Sequence, residues 1–125
     1  MRLLFVETQV FTRRLKALGL EPELRQLQSR LLTHPDLGDL DPGTGGLRKI
    51  RLGDTARGLG RRGGPRVHYL WLPRHDVVYL MFVYRKGELD SLDPEQKRQL
   101  RATVERITAE WDRRPAATHL EREGT

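Results

Sequence analysis

A dense group of cations in the middle of the chain is its most distinctive chemical feature. Residues 46–74 carry eight basic side chains against one acid, Asp54, which gives a local charge of +7. The whole chain has a formal charge of +6, so all its other residues together sum to −1. The basic residues are Arg48, Lys49, Arg51, Arg57, Arg61, Arg62, Arg66 and Arg74. Such a concentration favours a polyphosphate partner, with nucleic acid as the leading candidate.

The spacing of these cations predicts that several of them share one face of a sheet. Side chains alternate between the two faces of a strand, so Lys49 and Arg51 lie on one face. Arg66 and His68 likewise share a face of the following strand. On the last predicted strand the alternation separates two sets, Phe82, Tyr84 and Lys86 on one face and Met81, Val83 and Arg85 on the other. These cations either converge as a binding face or are merely the solvated side of a half-covered sheet.

Two helices and a short strand precede the cationic segment. Residues 2–6 form a brief apolar run that is typical of a strand. Thr8 is a suitable N-cap for a helix that ends at Gly19, and Pro22 suits the first turn of a second helix. Apolar residues recur at helical spacing in both, namely Phe11, Leu15 and Leu18 and then Leu24, Leu27 and Leu31. The two helices are therefore expected to form an antiparallel pair.

The rest of the chain predicts an antiparallel meander and one more helix. Residues 34–45 contain Pro and Gly at short intervals and are expected to form a loop. Strands are predicted at 47–52, 65–72 and 76–86, and their short connections favour antiparallel pairing. Asp93, Pro94 and Gln96 form a capping box at the start of a helix that runs to about residue 113. We expect an α+β fold in one domain, 1–113, with a flexible tail at 114–125.

Composition narrows the classes of protein that are possible. A chain of 125 residues fits one domain, and a sequence pI near 10.3 favours an acidic partner. The absence of cysteine excludes disulfides and thiolate metal sites. The histidines and acids lack the spacing of metal ligands, so neither a metal nor another cofactor is expected. No apolar run is long enough to cross a bilayer, and we expect a cytoplasmic protein that does not bind membranes.

Several segments, taken in order, resemble one known family. The segments are GTGGLRKIR, a basic glycine loop, RRGGPRVHYLWL and VVYLMFVYRKGELDSLDPEQ, and FVET at residues 5–8 also fits. They resemble the HigB branch of the RelE-like toxins, in the RelE/ParE superfamily of bacterial type II toxin-antitoxin systems. The resemblance implies a RelE-like fold and a small ribonuclease that cuts mRNA in the ribosomal A site and so inhibits translation. It also implies a cognate antitoxin, expected to be HigA-like with a helix-turn-helix domain, through which alone the toxin would reach operator DNA.

The resemblance assigns four catalytic positions. Lys49 and Arg51 match the two basic positions of the first hairpin strand, and Arg66 matches the arginine that contacts the scissile phosphate. Lys86 falls where the family has a basic residue after the last strand. The base-stacking tyrosine near the C-terminus of RelE has no counterpart in GELDSLD. The histidines and Asp-Tyr pair of another HigB subgroup have no clean match either.

The chemistry of metal-free RNA cleavage suggests roles for the four residues. The 2′-hydroxyl must attack the neighbouring phosphate while a base accepts its proton and cations stabilise the phosphate oxygens. Arg51 and Arg66 suit charge stabilisation because arginine stays protonated and binds phosphate with two N–H groups. Neighbouring cations favour the neutral form of a lysine, so Lys49 is our hypothetical general base. Lys86 would be the acid for the leaving 5′-oxygen or a further phosphate clamp.

A second group of residues is expected to bind RNA or the ribosome without taking part in the chemistry. Arg57, Arg61 and Arg62 in the glycine loop, together with Arg48, are candidates for phosphate contacts. His68 lies on the Arg66 face, where it is either a proton shuttle or a structural histidine. Tyr84 is either a base-stacking residue or a core aromatic.

Two functions from other classes remain open on sequence grounds. One is inhibition of DNA gyrase, because ParE toxins share the fold and lack the ribonuclease residues. The other is a non-catalytic RNA-binding module. The joint presence of Lys49, Arg51, Arg66 and Lys86 favours the nuclease, but a fold by itself does not determine an activity.

Overall fold

The computed structural model describes residues 2–54, 58, 60–88 and 92–114. Its secondary structure comprises five strands and three α-helices in an α+β arrangement. In chain order these are β1 (Leu4–Glu7), α1 (Gln9–Leu18), α2 (Glu21–Thr33), β2 (Asp39–Leu40), β3 (Leu47–Arg51), β4 (Arg66–Leu72), β5 (Val77–Tyr84) and α3 (Pro94–Asp112). A 3₁₀ turn, Arg61–Gly63, precedes β4. Of the tail predicted at 114–125, residues 115–125 lie outside the described residues.

The five strands form one mixed sheet. Their order is β1-β5-β4-β3-β2, in which β1 runs parallel to β5 and all other pairs are antiparallel. The predicted α+β fold and the meander of β3, β4 and β5 are thus confirmed. The expectation that 34–45 is entirely loop was wrong, because Asp39 and Leu40 pair with Lys49 and Arg48. Backbone pairing stabilises this two-residue edge strand, whose sequence carries little strand signal.

The predicted helix boundaries agree with the observed caps. Thr8 Oγ1 accepts a hydrogen bond from Phe11 N at 3.1 Å and donates one to Met81 O at 2.7 Å, so the cap also ties α1 to β5. Gly19 ends α1 with a left-handed φ of 67°, which glycine adopts without steric cost. Asp93 and Gln96 form the predicted capping box of α3. None of the helices in the described ranges has the length and hydropathy to cross a bilayer.

Helices cover both faces of the sheet, although to different extents. Residues of α1 and α2 pack with one face in a core that includes Phe11, Leu27 and Tyr69. On the opposite face Val104 and Ile107 of α3 pack with a second core, which lies at one end of β3, β4 and β5. That core also contains Leu47, Leu70, Leu72, Val77 and Met81. The rest of this second face, beyond α3, carries the candidate site.

A bulge in β5 changes the predicted alternation of side chains. His68 pairs with Phe82 and the next residue, Tyr69, pairs with Leu80, so Met81 is an extra residue in β5. Met81 therefore packs with the α3-side core together with Phe82, whereas strict alternation places the two on opposite faces. The strand predicted at 76–86 also extends too far, because β5 ends at Tyr84.

Candidate active site

Three polar residues lie side by side across β3, β4 and β5. Arg51 pairs with Arg66, and Arg66 pairs with Tyr84. Directly paired residues of antiparallel strands point to the same face, with Cβ atoms about 4.5–5.5 Å apart. Arg51 is exposed, and Arg66 and Tyr84 are half-buried. The structure therefore brings together two arginines and a phenol that the sequence places on three separate strands.

A second row lies next to the first, towards α3. Lys49 pairs with Asp39 of β2 on one side and with His68 of β4 on the other, and His68 pairs with Phe82 of β5. Lys49 is exposed, whereas His68 is buried. Lys49 is thus one step along β3 from Arg51 on the same face, as the period-two pattern predicts. We refer to Lys49, Arg51 and Arg66 as the cationic face.

No ion pair to Lys49, Arg51 or Arg66 is formed by an acid among the described residues, although Asp39 of β2 lies opposite Lys49. Within the described ranges, Lys49 and Arg51 form no side-chain hydrogen bond and no ion pair. Arg66 donates from Nη1 to the Gly64 carbonyl at 2.6 Å, a contact that orients its guanidinium without cancelling its charge. Three cations without counterions form a site that favours an anion with several oxygens, such as a phosphodiester.

His68 is held beneath this face by an acid that sequence reasoning did not identify. Asp41 Oδ2 lies 3.3 Å from His68 Nε2, and the imidazole is only 1% exposed. Burial lowers the pKa of His68 below its usual 6.5, an effect that outweighs the opposing attraction of Asp41. The neutral ring therefore carries its proton on Nε2 and donates it to Asp41, which leaves the buried Nδ1 without a partner. His68 presents no surface to RNA, contrary to its predicted place among the RNA-contacting residues.

The aromatic rings of Phe82 and Tyr84 lie next to the buried His68 ring. The His68 ring lies 4.5 Å from Phe82 and 5.6 Å from Tyr84, centroid to centroid, and is stacked with Tyr84 at an interplanar angle of 25°. Burial raises the pKa of Tyr84, and the charge of Arg66 partly offsets this effect. The Tyr84 hydroxyl therefore stays protonated at neutral pH and can donate a hydrogen bond. Its half-buried ring also offers a surface on which a base can stack.

Asp41 contacts both His68 and Lys97 of α3. Its other oxygen, Oδ1, lies 3.6 Å from Lys97 Nζ, and Lys97 also donates to the Pro42 carbonyl at 2.9 Å. Asp41 follows β2, whose pairing with β3 sets its position. Alternation already places Phe82 on the face of Tyr84, whereas Asp41 does not stand out by spacing and its place in the site becomes visible only when the pairing of β2 is known.

The other predicted site residues that the structure describes do not belong to the two cross-strand rows. Arg48 points to the opposite face, where its Nη1 donates to the carbonyls of Asp36 and Gly38 at 3.0 and 2.7 Å. Arg61 and Arg62 are exposed in the 3₁₀ turn that leads to β4. Lys86 is exposed in the turn after β5. Arg57 lies outside the described residues.

The arrangement can bind and polarise a phosphodiester with arginine and lysine alone. In the described part of the chain, no group of three or more His, Cys, Asp or Glu side chains is arranged to hold a metal ion. No protein-family model matches the chain. The functional interpretation therefore depends on the geometry and charge of the cationic face, together with the resemblance noted in the sequence.

Proposed function

We propose that this protein is the toxin of a type II toxin-antitoxin system, a metal-independent endoribonuclease that cuts mRNA in the ribosomal A site. The observation that carries the proposal is the cationic face, on which Lys49 and Arg51 lie beside Arg66 and form no ion pair with any described residue. A protein that needed these residues only for solubility would gain nothing from placing Arg51 directly opposite Arg66, because paired like charges are destabilising.

The chemistry assigned to the face is a transesterification. The RNA 2′-oxygen attacks the adjacent phosphorus, the bond from phosphorus to the 5′-oxygen breaks, and the products are a 2′,3′-cyclic phosphate and a 5′-hydroxyl. Lys49 Nζ is the proposed general base that accepts the 2′ proton. Arg51 and Arg66 bind the non-bridging oxygens and stabilise the negative charge that builds up on them.

The leaving 5′-oxygen needs a proton donor, and the protein has two candidates. Tyr84 lies directly beside Arg66 and remains protonated at neutral pH. Lys86 is exposed in the turn two residues further along the chain. The direct pairing of Tyr84 with Arg66 favours Tyr84 as the donor, with Lys86 as a phosphate contact.

Dependence on the ribosome is part of the proposal. Lys49 and Arg51 are exposed on β3, and holding the RNA in line for attack contributes a large part of the rate in such reactions. The ribosome would supply that positioning by presenting the mRNA. The partner that neutralises the toxin is an antitoxin, either acidic where it meets the cationic face or bound elsewhere so that it blocks entry to the ribosome.

Primer extension on mRNA engaged with ribosomes tests the proposal. Wild-type protein should produce cuts within the A-site codon that are absent on free RNA, and Lys49→Ala/Arg66→Ala should abolish them. The matched control is Lys16→Ala/Arg25→Ala, which removes the same charge from exposed positions on α1 and α2. Growth arrest without such cuts would instead support inhibition of DNA gyrase.

A further inference from the structure

A groove at the end of α2 lies apart from the cationic face. Ser29, Arg30, Thr33, His34 and Leu37 line a space of about 470 Å³. This volume falls within the usual range for small-ligand sites, roughly 300–1,000 Å³. The lining combines a guanidinium, an imidazole and two hydroxyl groups and includes no acid. Groups of these kinds bind phosphate oxygens.

Arg30 is a cation without a counterion in this groove. Its side chain is half-buried, and among the described residues it forms no hydrogen bond or ion pair. Arg61, in the 3₁₀ turn, lies close enough for its charge to lower the pKa of Arg30, in addition to the larger effect of burial. A lone arginine in the last turn of a helix is explained by the helix dipole. The dipole does not explain why a second arginine, Arg61, lies near enough for its charge to act on Arg30.

The position of Arg61 connects the groove to the cationic face. Arg61 is five residues before Arg66, and Arg66 donates to the carbonyl of Gly64 within the same short segment. The charge of Arg61 acts on Arg30 in the groove, and Arg66 of the same short segment belongs to the cationic face, so the segment connects the two sites. A polymer that crosses the segment can place phosphates on both sides of it.

We propose that this groove, together with Arg61, is a second phosphate-binding site, which holds the backbone of single-stranded RNA beyond the nucleotides on the cationic face. The inference extends the proposed function, because the strand it holds is the one that the cationic face would cut. Leu37 is 41% exposed and gives an apolar surface for a ribose or a base next to the phosphate. The site would add affinity for longer RNA and leave the chemistry at the cationic face unchanged.

Fluorescence anisotropy with non-cleavable 2′-O-methyl RNA tests the groove, with a trinucleotide and a dodecamer as probes. In Arg30→Gln/Arg61→Gln the slope of log affinity against log salt for the dodecamer should fall by about 1.4, since each phosphate contact to a single strand contributes about 0.7. Binding of the trinucleotide should not change. The control Arg13→Gln/Arg25→Gln removes two exposed arginines from α1 and α2 and should keep the wild-type slope.

The outcomes separate this inference from the proposed nuclease. An unchanged dodecamer slope in the groove variant would overturn the groove site even if ribosomal cleavage is intact. An equal loss in the control variant would also overturn it, because the effect would then come from net charge alone. Loss of dodecamer affinity in the groove variant would support the site even if no cleavage is found. Thermal melting of both variants establishes that they are folded.

Discussion

Arg51 and Arg66 are direct cross-strand partners on β3 and β4, with side chains on the same face of the sheet. Two like charges in this relationship repel each other and destabilise the fold. In the described structure no acid pairs with Arg51, and the Arg66 guanidinium donates to a backbone carbonyl. This arrangement lowers stability in the free protein, and an anion bound between the two guanidinium groups would relieve the repulsion.

Replacing Arg51 should therefore stabilise the protein while impairing its activity. We expect Arg51→Gln to raise the free energy of unfolding by about 0.2–1 kcal/mol, the range for cross-strand pairs. Urea denaturation measures the change. The gain should shrink at high salt, because screening weakens the repulsion in the wild-type protein.

Arg98 provides the control for that prediction. It forms an ion pair with Glu95 on the exposed side of α3. Arg98→Gln removes the same charge but loses an attraction, so it should give no gain in stability. A similar gain in both variants would mean that net charge, and not the pairing of Arg51 with Arg66, is the cause.

The buried imidazole of His68 predicts how stability depends on pH. Its pKa is lower in the folded protein than the ordinary 6.5, so below about pH 6.5 the unfolded chain binds more protons than the folded one. The free energy of unfolding should therefore fall as the pH drops from 6.5 through the folded-state pKa, by at most about 1.4 kcal/mol per pH unit. His68→Gln should flatten this part of the curve. If stability depended on pH in the same way in the wild-type protein and in the variant, the lowered pKa of His68 would not be the cause.

Asp41 should control the ionisation of His68. Its carboxylate raises the pKa of the imidazole against the larger effect of burial. Asp41→Ala should lower the pKa of His68 further and leave Nε2–H unpaired, at a cost of about 1–3 kcal/mol. NMR titration of the His68 ring measures the shift. Asp41→Asn keeps an acceptor oxygen and should recover most of the stability, and equal losses in both variants would argue against the hydrogen bond.

Gly64 permits a close backbone contact beside the cationic face. A Cβ atom at this position would lie 1.7 Å from the Leu52 carbonyl oxygen, so the backbone would have to move. We expect Gly64→Ala to destabilise the protein by about 1–3 kcal/mol, as overpacking does. Gly60→Ala is the matched control, because a Cβ there has no neighbour within 4 Å. Comparable melting temperatures for the two variants would contradict this account.

Local sequence signals were sufficient to predict most of the framework. The caps at Thr8 and Asp93 and the end of α1 at Gly19 follow from side-chain and backbone chemistry within a few residues. Alternation placed Lys49 and Arg51 on one face of β3, and Arg66 and His68 on one face of β4. These predictions succeeded because each depends only on neighbouring positions.

The features that sequence did not predict depend on distant parts of the chain. The β2 strand forms because it pairs with β3. That pairing places Asp41, the next residue, against His68. The bulge at Met81 is visible only from the register between β4 and β5. Arg48 lies near cations in sequence, yet it binds the carbonyls of Asp36 and Gly38 on the opposite face.

The single-turnover rate of A-site cleavage at saturating protein tests the central claim most directly. Arg51→Gln/Arg66→Gln should lower this rate by about 10²-fold or more, the effect of losing preorganised charge stabilisation, while ribosome binding is largely retained. Arg13→Gln/Arg25→Gln makes the same change in charge on α1 and α2 and should cleave at the wild-type rate. A double variant of the cationic face that still cleaves at the wild-type rate would show that Arg51 and Arg66 do not form the active site.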